Sequence, residues 1–481
     1  MRLRPILYIL GVINICIAFA MVAPLIVSFI FKDGDTGAIA KALSATAFVG
    51  LVFFFIFRGK KIEVGHREGF LIVALAWLDI GFFGALPYLF SGVFSSFVDA
   101  YFESISGFTT TGASVLTHIS DLPHGILFWR SMTQWLGGMG IVLLSLAILP
   151  LLGIGGMQLY KAEASIVTTD KFVPRVTEMA KVLWLVYLFM SISLLVLLRI
   201  SGMNLFDSFI HTFTTISTGG FSDQNISIEY YQSPIIESII MVFMFLGATS
   251  FALHYRFYNE RFKVYKENSE FKFYLLVLFF AGIIITITLR IGFYDSLLNS
   301  IRYAFFQVIS IQTTTGYSST DFTRWPQLAQ FMLLVLMFIG GSAGSTTGAI
   351  KCIRILLLFK LGYRELYRLI HPHAVVPVKL GRMVIPPEII SGVMGFTFLY
   401  LVLFVLSSLV LTSMDIDIVT AISSVGATIG NIGPGLNAVG PYSNYSEIPF
   451  IGKWVLIFNM LMGRLEIYTL VILFTPAFWR G

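Results

Sequence analysis

The sequence predicts an all-α polytopic membrane protein in which four pseudo-repeated helix–pore loop–helix units surround a central pore, preceded by two N-terminal transmembrane helices. Three observations predict this fold class. The 481 residues are 57% hydrophobic and 12% charged, with a mean hydropathy of +0.85, whereas about 25% of a soluble domain is charged. Ten apolar segments are candidates for crossing a bilayer. A short motif of threonine or serine followed by glycine recurs four times among them.

The ten apolar segments are close to the length of roughly 20 residues that a bilayer core requires. An even number places both termini on one side of the membrane, and 23 of the 32 lysines and arginines fall on that side. This bias predicts that both termini lie in the cytoplasm. It also explains the net charge of +6 without a nucleic-acid partner. The predicted spans are residues 6–31, 42–57, 70–90, 126–150, 180–200, 234–253, 273–292, 328–358, 389–413 and 450–475.

The recurring motif lies in four outer connections, each at the end of a segment too short to span. Its glycines are Gly112, Gly219, Gly316 and Gly430, separated by 107, 97 and 114 residues. A second landmark follows in the next apolar segment, at Gly137, Gly247, Gly340 and Gly463. One such glycine would indicate only close helix packing, but two landmarks in the same order four times predict an internal repeat. The predicted division is 1–67 for the two N-terminal helices and 68–160, 161–266, 267–372 and 373–481 for the four pore repeats.

The four motifs have the chemistry of a cation pathway. Irregular backbone at membrane depth is tolerated where it lines a watery path, and rings of carbonyl and hydroxyl oxygens can replace the hydration shell of an ion. The short helix before each motif directs its negative C-terminal end at that site. None of the four turns carries a carboxylate, which favours a monovalent cation. The predicted filter residues are Thr110, Thr111, Gly112, Ser217, Thr218, Gly219, Thr314, Thr315, Gly316, Thr428, Ile429 and Gly430.

Two features below the predicted filter are candidate gates. The eighth apolar segment contains Gly340, Gly341, Gly344, Ser345 and Gly348, and such a run is expected to break a helix in mid-membrane. The alternative for this run is a packing kink. Arg464 lies deep in the last segment, where a charge is costly and usually functional. It is either an electrostatic barrier in the pore or the partner of an ion pair with Asp79 or Glu466.

These motifs resemble those of the bacterial Trk/Ktr/HKT potassium-uptake superfamily, and most closely its TrkH members. The resemblance rests on the four filter segments, on residues 340–348 (GGSAGSTTG) and on residues 462–466 (MGRLE). It implies potassium uptake through a gated, filter-selective pore, with K+ as the transported ion and no organic cofactor in this chain. It further implies a homodimer in membrane lipid, with one pore per subunit, gated by a cytoplasmic nucleotide-binding subunit resembling TrkA.

Two other transport modes stay open on the sequence. A symporter coupled to H+ or Na+ would use intramembrane acids such as Asp79 and Glu466, but each stands alone without a visible relay. A membrane subunit of an ATP-driven pump would need a nucleotide site on another chain. An enzymatic role is not expected, because no nucleophile–base or metal-ligand constellation appears in the spans.

Overall fold

The computed structural model describes residues 3–59, 65–148, 172–381 and 383–480. It confirms the predicted fold class, since helices account for nearly all of the regular structure in these ranges. Two details of the sequence predictions lie outside them. These are the end of the fourth apolar segment at residues 149–150 and the repeat boundary between residues 160 and 161.

The two N-terminal spans form a hairpin. The first consists of helices Leu3–Ala20 and Val22–Phe31, and the second is Thr36–Phe57. Gly11 and Gly50 allow the two to cross closely, because a Cβ atom on either would lie within 3.0 Å of the opposite backbone. The hairpin is joined to the rest of the molecule where Asp33 accepts a 2.7 Å hydrogen bond from the backbone N–H of His124.

Each of the four units that follow consists of a long helix, a short helix and a second long helix. Unit 1 has His66–Phe90, Phe97–Phe108 and His124–Ile148. Unit 2 has Phe172–Ile200, Leu205–Ile216 and the pair Pro234–Gly247 and Phe251–Glu260. Unit 3 has Ser269–Gly292, Leu297–Gln312 and the pair Gln327–Leu336 and Cys352–Ile370. Unit 4 has Pro387–Thr412, Ile418–Ile429 and the pair Phe450–Arg464 and Ile467–Val471.

The remaining elements are short and lie in the connections. They are the helices Lys263–Glu267 and Pro476–Trp479 and the 3₁₀ turns Ser227–Tyr231, Phe322–Arg324, Asn437–Val439 and Ile472–Phe474. Strands Lys379–Leu380 and Met383–Val384 form an antiparallel hairpin, with Lys379 opposite Val384 and Leu380 opposite Met383.

The short helices have 12 to 16 residues, too few to cross the membrane. Three of them begin at a side chain that accepts a hydrogen bond from the first helical turn: Asn204, Ser296 and Asp417. Such caps satisfy backbone N–H groups that have no partner inside the helix. These three short helices therefore start at a fixed point in a connection between two long helices.

Three of the second long helices are broken rather than straight. The break predicted in the eighth apolar segment is confirmed, since unit 3 has no helix between Leu336 and Cys352. The sixth and tenth segments were expected to be continuous, and this was wrong. Helix Pro234–Gly247 meets the next helix at 98°, and Phe450–Arg464 meets its continuation at 116°. Among the described residues, six helices are long and apolar enough to span a membrane, or eight if each bent pair counts as one span.

The bend in unit 2 is compensated by hydrogen bonds from unit 3. The carbonyl of Gly247 accepts from the N–H of Thr346 at 3.3 Å, and that of Ala248 accepts from the N–H of Ser342 at 2.9 Å. Buried carbonyls need such partners when a helix ends inside a protein. Sequence patterns within unit 2 contain no sign of this bend, because the compensating groups belong to unit 3.

Candidate ion pore

The four short helices end in segments with the same backbone conformation. In each segment, the first residue after the helix is a cap with an ordinary negative φ. The next residue has a positive φ between 52° and 55°, and the glycine two residues after it also has a positive φ. These pairs are Thr110 and Gly112, Thr218 and Gly220, Thr314 and Gly316, and Asn431 and Gly433. The four turn segments are therefore residues 109–112, 217–220, 313–316 and 430–433.

This conformation corrects the predicted alignment in units 2 and 4. Gly220 and Gly433, not Gly219 and Gly430, correspond to Gly112 and Gly316. Gly430 has a φ of −79° and only caps the short helix of unit 4. Thr428 and Ile429, also predicted to belong to the turn, are the last residues of that helix. The prediction aligned the four segments by the sequence pattern Thr-x-Gly, whereas the shared feature is a glycine three residues past the helix cap. One residue past the cap, unit 4 has asparagine and the other units have threonine.

The four turn segments interlock into a closed ring. A Cβ atom on Gly112 would lie within 3.0 Å of the carbonyl oxygen of Gly219, and one on Gly220 equally close to that of Thr315. Gly316 stands in the same relation to Ile432, and Gly433 to Thr111. Units 1, 2, 3 and 4 thus contact one another in order and return to the first. Positive φ and close backbone approach both require glycine at these four places.

The four ring glycines also line a single cavity. Its other walls include residues that follow the turn segments, among them Ser114, Ser222, Ser318 and Tyr445. Gly219 and Gly430 are not among its lining residues. The cavity therefore supports the corrected alignment and marks one mouth of the ring.

Side-chain hydrogen bonds hold the turn segments in place. The hydroxyls of Thr109 and Thr111 are 2.7 Å apart, and those of Thr313 and Thr315 are 2.8 Å apart. Asn431 donates from its amide nitrogen to the hydroxyl of Thr111 at 2.9 Å, which joins units 4 and 1. Because the residues involved are buried, these contacts limit the conformations open to the ring.

The second glycine landmark supports the ring from below. A Cβ atom on Gly137 or Gly463 would lie within 3.0 Å of the last carbonyl of the short helix in its own unit, at Phe108 and Ile429 respectively. Gly247 lies 3.1 Å from the corresponding carbonyl of Ile216 by the same measure. In units 1, 2 and 4 the landmark thus marks the point where the second helix passes beneath a turn segment, as small residues permit. In unit 3 it lies in a non-helical stretch, where a Cβ atom on Gly340 would instead meet the carbonyl of Gly348.

The non-helical stretch of unit 3 forms a loop directly beneath the ring. Its two ends meet where Ile339 and Ile350 pair in parallel. At its tip, the hydroxyls of Thr346 and Thr218 are 3.1 Å apart, and the N–H of Gly348 donates to the hydroxyl of Thr314 at 2.9 Å. We call residues 337–351 the inner loop. The predicted gate residues Gly340, Gly341, Gly344, Ser345 and Gly348 all lie within it.

Arg464 extends from unit 4 into the same space. Its guanidinium is buried and donates to the carbonyl of Thr346 at 2.7 Å and to that of Gly137 at 3.2 Å. Among the described residues, neither carboxylate considered from the sequence forms an ion pair with Arg464, and Glu466 instead pairs with Arg354 at 2.5 Å. Arg464 therefore connects unit 1, unit 4 and the inner loop below the ring.

Comparison with known proteins identifies relatives along the whole chain. The TrkH family model, described as a cation transport protein, matches residues 36–480. The Trk system potassium uptake protein TrkH of Escherichia coli K12 is 44% identical over 484 residues, covering 100% of both chains. The TrkG protein of the same organism is 35% identical and covers 100% of this chain and 99% of its own. The crystal structure of the potassium transporter TrkH from Vibrio parahaemolyticus superposes with a TM-score of 0.93 at 39% identity, covering 100% of both chains.

Fold and site together define a polytopic helical membrane protein built on a ring of four re-entrant segments. The family match and the full-length relatives then assign it more narrowly. The chain belongs to the TrkH family of cation transport proteins.

Proposed function

We propose that this protein takes up potassium ions through the ring of turn segments, which acts as a selectivity filter. The observation that carries the proposal is the closed ring itself, in which four buried segments with one backbone conformation surround a cavity. Oxygen-lined rings of this kind coordinate desolvated monovalent cations. Relatives named for potassium uptake match the chain over its full length, which supports K+ as the transported ion.

The proposed filter comprises the four turn segments in their corrected alignment. Ten of the twelve residues predicted from the sequence belong to it, and six others join them: Thr109, Gly220, Thr313, Asn431, Ile432 and Gly433. The carbonyls in closest contact with the ring glycine of the preceding unit are those of Thr111, Gly219, Thr315 and Ile432. We assign the ring of ion-facing oxygens to this level and its neighbours.

We also propose that the inner loop and Arg464 close the pathway below the filter. The loop tip bonds to two turn segments, and Arg464 bonds to the loop. A fixed positive charge on this path would raise the energy of an approaching cation. Opening would then require the loop and Arg464 to separate.

The wider assembly is proposed from the resemblance. The protein would be a homodimer in the bacterial inner membrane, with both termini in the cytoplasm and a nucleotide-binding subunit resembling TrkA on that side. Exposed apolar side chains such as Phe19, Phe189 and Ile291 suit contact with membrane lipid. The four repeats would divide at residues 68–160, 161–266, 267–372 and 373–481.

Flux into liposomes tests the function. The purified protein is expected to carry K+ in preference to Na+, with a current that reverses at the potassium Nernst potential and persists in the presence of a protonophore. Flux that requires a second cation gradient would instead indicate a symporter. Equal K+ and Na+ flux would contradict a selective ring.

A further inference from the structure

Two polar side chains of unit 1 bind the backbone of the turn segment of unit 2. Gln134 lies on helix His124–Ile148 and is fully buried. Its amide nitrogen donates to the carbonyl of Gly219 at 2.7 Å, and its amide oxygen accepts from the N–H of Phe221 at 3.0 Å. Gln134 therefore satisfies an acceptor and a donor on either side of Gly220, the ring glycine.

Arg130 lies one helical turn before Gln134 and continues the same contact outward. It donates to the carbonyl of Ser222 at 2.8 Å, and its guanidinium carbon lies 3.5 Å from the centre of the Phe221 ring. Glu103, from the short helix of unit 1, accepts from Arg130 at 2.6 Å and is itself buried. The charge is thus paired and held in place, as a buried arginine requires.

The other three units have nothing comparable at these positions. Counting back three residues from each second-landmark glycine gives Gln134 in unit 1 and methionine in the others. Counting back seven gives Arg130 in unit 1 and an aliphatic residue in the others. All six counterparts are buried and apolar: Met244, Met337, Met460, Ile240, Leu333 and Leu456. The polar contact is therefore found at one seam of the ring, by which we mean the contact between two neighbouring units, here units 1 and 2.

The turn segment that receives this contact is also the one with the freest backbone. At the position before the ring glycine, units 1, 3 and 4 have the β-branched residues Thr111, Thr315 and Ile432, whereas unit 2 has Gly219. Branching at Cβ restricts conformation, and glycine removes that restriction. A Cβ atom on Gly219 would lie within 3.0 Å of the amide group of Gln134. Gln134 therefore occupies the space that a side chain fills at the other three positions.

We propose that Gln134 and Arg130 are positioning residues for ion selectivity, which hold the flexible turn segment of unit 2 in the conformation that the other segments reach through a β-branched side chain. This inference rests on the proposed filter function. It means that helix His124–Ile148 of unit 1 fixes the conformation of the turn segment of unit 2, and with it that segment's contribution to ion selectivity. Loss of the contact leaves Gly219 and Gly220 free to rotate and the spacing of the ring oxygens less well defined.

The test compares the K+/Na+ permeability ratio of variants reconstituted in liposomes. Gln134→Met installs the residue of the other three units, and we expect the ratio to fall about tenfold, equivalent to about 1.4 kcal/mol of lost discrimination. Arg130→Lys keeps the charge for Glu103 but cannot also reach Ser222, so a smaller fall is expected. Met244→Leu, a buried change of similar volume at the counterpart of Gln134, is expected to leave the ratio unchanged.

A double variant distinguishes positioning from general damage. Gln134→Met combined with Gly219→Thr recreates the methionine and β-branched pair of the other seams, and it should recover much of the selectivity lost in Gln134→Met. An unchanged ratio in folded Gln134→Met and Arg130→Lys, beside a selective wild type, would overturn the positioning role alone. A wild type that does not discriminate K+ from Na+ would overturn this role and the proposed filter together.

Discussion

At the scale of single residues, Arg464 is the side chain whose chemistry differs most from its surroundings. It is the guanidinium that reaches beneath the ring, and both of its hydrogen-bonded partners are backbone carbonyls of other units. Carbonyls accept from its two terminal nitrogens without cancelling its charge. The positive field therefore stays available to oppose a cation on the pore path.

Replacing Arg464 with alanine is expected to increase K+ flux by about tenfold or more. A unit charge about 4 Å from an ion contributes about 4 kcal/mol at an effective dielectric constant of about 20. Liposome flux per folded protein measures the effect. Arg464→Lys retains the charge and serves as the control, with flux expected to stay near that of the wild type. Equal flux in the alanine variant and the wild type would argue for a purely structural arginine.

The corrected ring alignment makes a second prediction at this scale. Gly220→Ala should abolish selective flux, because the φ of +74° and the nearby carbonyl of Thr315 both exclude a side chain. Gly92 has the same φ of +74° but open space around it. Gly92→Ala should therefore lose only about 1 kcal/mol of stability from backbone strain and retain flux. Selective transport by Gly220→Ala would contradict the alignment.

Single residues also mark the limit of what the sequence could predict here. The glycines of units 1 and 3 were identified because both follow Thr-Thr-Thr. In unit 2 two adjacent glycines made the choice ambiguous, and in unit 4 Asn431 takes the left-handed conformation that threonine has elsewhere. Asparagine adopts that conformation readily. A comparison of the distance from each helix end to the glycine, rather than of residue types, would have found Gly220 and Gly433.

At the scale of elements, the inner loop is the unit of structure most directly tied to the ring. Its break was predictable, because clustered glycines cannot sustain a helix. The bend after Gly247 was not, since the groups that accommodate it come from distant positions. The Thr346 hydroxyl, for example, lies 3.3 Å from the carbonyl of Ile216 and 3.1 Å from that of Gly247.

Thr346→Val should loosen the inner loop and increase K+ flux about tenfold. The change keeps the shape of the side chain but removes the hydroxyl that contacts Thr218, Ile216 and Gly247. Each such hydrogen bond contributes about 0.5–1.5 kcal/mol. Flux is measured beside Thr397→Val, whose hydroxyl bonds only to Val393 in its own helix. Reduced flux in Thr346→Val would show that the loop supports the open pathway rather than closing it.

At the scale of the whole molecule, ion pairs fasten three of the seams between units. One of them joins Arg354 of unit 3 to Glu466 of unit 4 at 2.5 Å. Glu237 of unit 2 accepts two 2.6 Å hydrogen bonds from Arg302 of unit 3. Lys453 of unit 4 donates to Asp99 of unit 1 at 2.6 Å. Glu237 and Lys453 both lie ten residues before their landmark glycines, so the same position carries opposite charges at two seams.

Glu237→Gln should lower the thermal stability of the detergent-solubilised protein. The Glu237 side chain is 2% exposed and its bidentate contact with Arg302 is charge-assisted, so we expect a loss of about 1.5–3 kcal/mol. Glu260→Gln is the matched control, because Glu260 pairs with Arg256 at the surface, where such pairs contribute little. Equal melting temperatures for the two variants would contradict a fastening role for the seam.

The order of units and their common plan could be read from the sequence, because apolar length and recurring glycines are properties of the chain itself. The seams could not, because each ion pair joins residues far apart along the chain. Lys453 and Asp99, for instance, are separated by 354 positions. Without structural coordinates, nothing distinguishes these charges from others near the outer helix ends.

The position of Arg464 has a consequence for how such a molecule can be encoded. Four identical subunits around one axis would inherit every substitution fourfold, and four arginines about 8 Å apart would repel by about 2 kcal/mol for each adjacent pair. With all four copies on one polypeptide, a single gene can place one arginine opposite glycine or alanine at the corresponding positions, Gly138, Ala248 and Gly341. Covalent fusion of the four units therefore allows a residue such as Arg464 to occur once rather than four times around the axis, and a single codon change alters it.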